Sequence, residues 1–169
     1  MLNDLGSAED KLLISIAAGV QIATIETATK QRHRVVRVMP NTPSLVGKGA
    51  AAYALGSSAT QEDGKLTRSL LEAVGTVSEV SEPDLDAVTA LSGSGPAYVF
   101  LLIEALVEAG IAEGLSAEVA HALASQTVAG AAELVLQSDE SPAQLRENVT
   151  SPNGTTFAAL ESFRADNFE

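Results

Sequence analysis

The apolar positions of this chain fall into two regimes, short runs up to about residue 80 and long helical stretches after it. Leu12-Leu13-Ile14-Ser15-Ile16-Ala17 is a nearly continuous apolar run that stops at Gly19. It predicts a strand buried on both faces, at home in a parallel sheet. Apolar residues at 22, 25 and 28 predict a short helix from Ile22 to Thr29. Val35-Val36-Arg37-Val38-Met39, β-branched and closed by Pro40, predicts a second strand. Gly49 to Leu55 offers a third, weaker strand of small residues. Thr60 to Val74 suits a helix, and the alternation in Thr76-Val77-Ser78-Glu79-Val80 predicts a fourth strand. The order β-α-β-β-α-β implies part of an α/β domain.

From residue 82 on, the pattern is helical throughout. Asp84 to Leu91 reads as helix, and Pro96 to Ala109 is apolar almost all round, with Glu104 and Glu108 as its charged stripe. Such a helix should be largely buried between others. Gly110 and Gly114 bracket a turn, and Ser116 can cap a helix running to Gln137, roughly 33 Å long at ~1.5 Å per residue. That helix is rich in alanine, so a partner backbone can approach closely. Two long apolar helices have too little chain around them to cover every face, and dimerisation through them is the expected solution. The fold class is therefore α/β plus all-α, with a sheet segment over 1–81 and a helical segment over 82–169.

Charge sharpens that division. The net charge is −12. Residues 1–81 carry eight basic and eight acidic side chains, whereas residues 82–169 carry Arg146 and Arg164 against fourteen acids, so the whole excess lies in the helical segment. No basic stripe could meet a phosphate backbone, which argues against nucleic acid as a partner, and against anionic membranes. The apolar run Ala97 to Ile103 is cut by Glu104 and Glu108, far short of the ~20 residues of a membrane span. With 46% hydrophobic residues the chain can build a core, and without cysteine it has no disulfide or thiolate chemistry. Met1 is followed by Leu2-Asn3-Asp4-Leu5-Gly6, with no basic or apolar leader pattern. A soluble, cytoplasmic protein is the expectation.

Three polar stretches can carry chemistry. Met39-Pro40-Asn41-Thr42-Pro43 follows the second strand, where ligands of open α/β sheets bind; a proline-fixed turn explains the same residues. In Leu91-Ser92-Gly93-Ser94-Gly95-Pro96-Ala97-Tyr98, Ser94 can serve as N-cap and Pro96 suits a first helical turn. Bare N–H groups there would favour an anion, or the stretch is a plain hinge between helices. It is no dinucleotide fingerprint, having no third glycine and no preceding strand. Val149-Thr150-Ser151-Pro152-Asn153-Gly154-Thr155-Thr156 opens the last helix with four hydroxyls, more than capping alone requires. His33, in a basic surface run, and His121 are too far apart for a local metal pair, so no metal site is expected and both read as structural.

These residues also form a familiar set. Pro142, Leu145, the stretch Val149 to Thr156, Ala159-Leu160 and Phe163 closely resemble the signature of pyrroline-5-carboxylate reductases, with Arg164 where an acidic or amide residue is usual. The resemblance extends through Asp86 to Tyr98, Arg37 to Pro43 and Ser15 to Val20, and covers roughly Glu9 to Phe163. It implies reduction of 1-pyrroline-5-carboxylate to L-proline with NADPH or NADH, the last step of proline biosynthesis. It also implies a Rossmann-like domain followed by a helical domain that interlocks two subunits, often within larger oligomers.

By the same resemblance, Ile16-Ala17-Ala18 lies against the nicotinamide; Asn41 is read as a cofactor contact from its place beyond the end of the second strand. Thr156 hydrogen-bonds the ring nitrogen, and Ser151, Pro152, Asn153, Gly154 and Thr155 receive the substrate carboxylate. Glu82 stands near the substrate, and Gly93, Ser94, Gly95 and Pro96 border the site from the partner subunit. Against that family the chain lacks the first, glycine-rich β-α-β unit and the last helix. A truncated chain that binds NADPH poorly and turns over little is the resulting expectation. The alternatives are a non-catalytic dimerisation module derived from that reductase, and a related reductase acting on another imine or keto acid.

Overall fold

Val35 and Val36 are neighbours in sequence and both fully buried, because they face opposite sides of one sheet. The structure is a computed structural model that describes residues 10–168. Met1 to Gly6 and Glu9 lie outside the described residues, as does Glu169. The sheet holds four strands in the order β1 (Leu12–Ser15), β2 (Arg34–Met39), β3 (Gly49–Leu55) and β4 (Gly75–Glu79).

Two expectations change here. The sheet is mixed: β1 pairs with β2 and β3 with β4 in parallel, but β2 and β3 are antiparallel, with Met39 opposite Ala52. The connection 40–48 explains this, being shorter than the roughly dozen residues a parallel crossover needs. It contains only a 3-10 turn, Thr42–Val46, ended by Gly47 at φ 70°. Second, β1 is half-buried along its length and, among the described residues, pairs on one side only. The strand read as weakest, β3, contributes buried Ala52, Tyr53 and Ala54.

Helices cover both faces. On one, Ile22 and Ile25 of α1 (Ile22–Ala28) and Leu85 of α3 (Asp84–Val88) pack with Val35, Ala52 and Ala54. On the other, Leu71 of α2 (Gln61–Glu72) packs with Val36, Val38 and Tyr53. A reciprocal capping box starts α2: Thr60 Oγ1 accepts the Asp63 N–H at 3.2 Å, and Asp63 Oδ2 accepts the Thr60 N–H at 2.8 Å. That backbone bond, with the Thr60 hydroxyl and the Arg34 guanidinium, holds the Asp63 carboxyl below the usual carboxylate range. His33 is buried rather than on a basic surface, its Nδ1 accepting the Lys11 N–H at 3.3 Å.

The remaining helices are α4 (Gly95–Ala112), α5 (Ala117–Gln137), α6 (Pro142–Asn148) and α7 (Thr155–Ala165). Ser116 caps α5 as expected, accepting from Val119 N at 3.3 Å. Packing divides the chain into two compact units, one ending at Leu101 and one beginning at Leu102, inside α4. The compositional boundary at 81/82 follows the end of β4.

Contrary to the expected burial, no residue of α4 is buried: Tyr98 is 61% exposed and Leu101 66%. One chain offers too few neighbours to cover it. Counted with the turns before it, the helical run Asp84–Ala112 is long and apolar enough, by length and composition alone, to cross a membrane, and so is α5.

Candidate functional site

The loop that leaves β1 carries Ile16, Ala17 and Ala18, all exposed, and turns at Gly19, whose φ of 74° suits a residue without Cβ. It leads to the first turn of α1. Helix α1 has no side-chain cap of its own. Glu82 fills the role from a distance, its Oε1 accepting the Ile22 N–H at 2.6 Å and meeting Arg37 Nη1 at 3.2 Å. Arg37 lies on the α1 side of β2 with its side chain 8% exposed, so its charge is met mainly by this carboxylate. Gly19, Gln21, Arg37, Glu82, Pro83 and Asp86 line a polar cleft of about 420 Å³. An arginine inside a β-branched run carries no sequence signal of such a buried ion pair, because its partner Glu82 lies 45 positions away.

At the end of β2, Asn41 is fastened at both ends of its amide. Nδ2 donates to the Ser92 carbonyl at 3.0 Å, and Oδ1 accepts the Ala50 N–H at 2.9 Å. Asn41 borders two largely apolar clefts. One, of about 330 Å³, includes Pro43, Leu91, Ser92, Gly95, Pro96 and Phe100, and the other, of about 390 Å³, includes Thr42, Leu45 and Gly93.

The stretch Leu91 to Tyr98 differs from its expected form. In place of a loop, a π-helical turn, Thr89–Gly93, follows α3, and α4 opens at Gly95 with Pro96 in its first turn. Ser94 is helical (φ −88°, ψ −21°), and its N–H bonds back to the Thr89 carbonyl at 2.8 Å, so it does not act as an N-cap. The Ala97 N–H is likewise taken up, by the Ser94 carbonyl at 3.0 Å. Gly93 instead permits close approach to β2: a Cβ added there would stand 2.3 Å from Met39 Cε.

In the second unit, Ser151, Pro152, Asn153 and Thr155 are exposed, and Gly154 and Thr156 half-buried. Thr150 Oγ1 donates to the Arg146 carbonyl at 2.6 Å, closing α6. Asn153 takes the left-handed conformation at φ 60°, which lets the Gly154 N–H reach the Ser151 carbonyl at 3.0 Å. Gly154 is the N-cap of α7 and supplies no side-chain bond. The first turn of an 11-residue helix is thus uncapped, with the hydroxyls of Ser151, Thr155 and Thr156 close to it in sequence. His121 is exposed on α5, and among the described residues no three His, Asp or Glu side chains converge.

Glu82, Ile16 to Ala18, Asn41 and Gly93 to Pro96 thus belong to the first unit and Ser151 to Thr156 to the second. The loop after β1 is bare and exposed, and the clefts at Asn41 are largely apolar. Among the described residues the start of α1 is already met by Glu82 and holds no pyrophosphate cradle.

The pyrroline-5-carboxylate reductase dimerisation family matches residues 82–169. Over 161 residues the chain is 47% identical to a pyrroline-5-carboxylate reductase of Arabidopsis thaliana, covering 95% of this chain and 58% of that protein. It is similar to a pyrroline carboxylate reductase structure from Plasmodium falciparum with NADP bound, at 41% identity and a TM-score of 0.87, over 93% of this chain and 63% of that one. A pyrroline-5-carboxylate reductase structure from Coxiella burnetii gives 44% identity and a TM-score of 0.88, over 93% and 58% of the two chains. The chain therefore spans less than two thirds of the length of these relatives.

Proposed function

The chain belongs to the pyrroline-5-carboxylate reductase family, and from that premise we propose that this protein reduces 1-pyrroline-5-carboxylate to L-proline with NADPH or NADH, the last step of proline biosynthesis. The observation that carries the reading is the family match over 82–169, which includes the uncapped helix start after Ser151.

The substrate is a small cyclic imine bearing a carboxylate. The first-turn N–H groups of α7 and the hydroxyls of Ser151 and Thr155 are suited to hold that carboxylate, with Pro152, Asn153 and Gly154 shaping the turn. Thr156 would take the ring nitrogen through its hydroxyl. A hydroxyl is a poor acid, so Thr156 orients the nitrogen while water or an already protonated imine provides the proton. Bound NADPH supplies the hydride. Ile16, Ala17 and Ala18 would flank the nicotinamide, Asn41 would stand beside the cofactor, and Gly93, Ser94, Gly95 and Pro96 would border it from the partner subunit. Glu82, already bonded to Ile22 and Arg37, would keep the loop after β1 in place beside the substrate. Orientation of the two reactants then does most of the work.

The exposed apolar surfaces of α4 and α5 support self-association into a homodimer or larger homo-oligomer, since a second copy can bury them. We assign the membrane-like length of these helices to that contact rather than to a bilayer, and the acidic balance argues against nucleic acid. A cytoplasmic location fits this reading.

Steady-state oxidation of NADPH with 1-pyrroline-5-carboxylate tests the proposal. Turnover that requires the imine supports it. NADPH oxidation with another imine or keto acid, but none with this one, would replace it with a different reductase.

A further inference from the structure

Pro96 has no N–H and stands in the first turn of α4, so position 96 cannot offer a donor to the Ser92 carbonyl four residues before it, where the π-helical turn Thr89–Gly93 gives way to α4. Two neighbouring amides are engaged elsewhere. Ser94 N reaches back to the Thr89 carbonyl at 2.8 Å, and Ala97 N takes the Ser94 carbonyl at 3.0 Å. The Ser92 carbonyl accepts instead from Asn41 Nδ2 at 3.0 Å. Asn41 stands two residues beyond Met39, the last β2 position paired with β3, and its Oδ1 takes the Ala50 N–H at 2.9 Å. One amide thus extends the sheet on one side and completes the helix on the other. A carboxylate could accept from Ala50 but could not donate to Ser92, and alanine could do neither.

We propose that Asn41 is a positioning residue that stands in for the amide N–H missing at Pro96, fixing the turn from Ser92 to Pro96 on the end of β2. In doing so it sets the shape of the two clefts it borders. The consequence for cofactor binding rests on the reductase reading above; the pairing of Asn41 with Pro96 does not.

Pro96→Ala returns a main-chain N–H to position 96, and Asn41→Asp removes the donor while keeping an acceptor for Ala50. Urea unfolding of the parent chain, both single variants and the double variant isolates the coupling. Asn41→Asp is expected to lower the folding equilibrium constant about tenfold or more in the parent, and at least about fivefold less in the Pro96→Ala background. Additive costs, with coupling under about twofold, would overturn the pairing. If Asn41→Asp does not fold, recovery of folded protein on adding Pro96→Ala supports it, and no recovery counts against it.

NADPH fluorescence titration of the same proteins reads the positioning role. A Kd raised about tenfold in Asn41→Asp and partly restored in the double variant is expected, matching the loss of one hydrogen bond's worth of order. An unchanged Kd beside intact coupling would overturn the positioning role. NADPH binding to none of the proteins, with coupling intact, supports the pairing and overturns the positioning role in cofactor binding.

Discussion

Glu82 accepts the main-chain N–H of Ile22 at 2.6 Å across 60 positions of sequence, and the same oxygen meets Arg37 Nη1 at 3.2 Å. A residue that the sequence resemblance places near substrate is therefore also the cap of α1 and the counter-ion of a nearly buried arginine. Removing it leaves a helix N–H and a guanidinium without their acceptor. Glu82→Ala is expected to cost about 2–3 kcal/mol of stability, and Glu82→Gln, which keeps an acceptor for Ile22, about half as much. Urea denaturation of the two variants checks this, and equal losses would contradict the capping role.

The Asp63 carboxyl lies below the usual carboxylate range in the fold, held by the Thr60 N–H, the Thr60 hydroxyl and Arg34. A depressed folded-state pKa stabilises the protein above the unfolded value, about 4, and that stability is lost as pH falls through the folded value. Asp63→Asn should therefore cost about 1 kcal/mol near neutral pH. The gap to the parent should narrow below about pH 4 in denaturation at a series of pH values. A gap independent of pH would contradict this account.

Gly75 and Gly93 separate two kinds of close approach. A Cβ on Gly75 would stand 2.0 Å from the main-chain oxygen of Gly49, its partner at the start of β3 and β4, whereas one on Gly93 meets the flexible end of Met39. Gly75→Ala should cost several kcal/mol, of order 3 or more, and Gly93→Ala about 1–2 kcal/mol as Met39 changes rotamer. Thermal melts of both variants give the comparison, and a reversed order would refute it.

Thr156→Ala should lower kcat by about tenfold to a hundredfold if its hydroxyl orients the ring nitrogen, with Thr156→Ser recovering most of the loss. The measurement is kcat and KM for 1-pyrroline-5-carboxylate. A change confined to KM would move Thr156 from orientation to simple binding.

Leu101 and Leu123 are 66% and 57% exposed on α4 and α5. Leu101→Glu and Leu123→Glu should shift sedimentation toward the monomer at micromolar concentration, because a charge in an apolar contact costs several times what it costs on a free surface. Unchanged sedimentation in both would place the contact elsewhere.

The sheet was legible where side chains alone determine it. Val35 to Met39 and Gly49 to Leu55 are strands because β-branched and small apolar residues are bounded by proline and glycine, and Ser116 caps α5 because its hydroxyl can reach Val119 N. What the sequence hid depends on partners distant along the chain. The reversed direction of β3 follows from a connection length, not from any residue pattern. Pro96 carries the signal of a helix start and α4 does open at Gly95, but the side-chain amide that meets the Ser92 carbonyl beside it comes from Asn41, 51 positions away. His33 looked like part of a charged surface and is buried, its ring meeting the Lys11 amide. The α7 start was legible in outline, since four hydroxyls beside a glycine signalled more than a cap.

The uncovered apolar residues of α4 and α5 sit in a segment that carries all of the chain's excess negative charge. Two copies meeting through that segment are drawn together by water and pushed apart by like charge. The two forces answer differently to conditions: salt screens the repulsion, and cooling weakens the attraction. Assembly should therefore tighten with ionic strength and loosen in the cold. A dilute, chilled, low-salt preparation is where single subunits would gather.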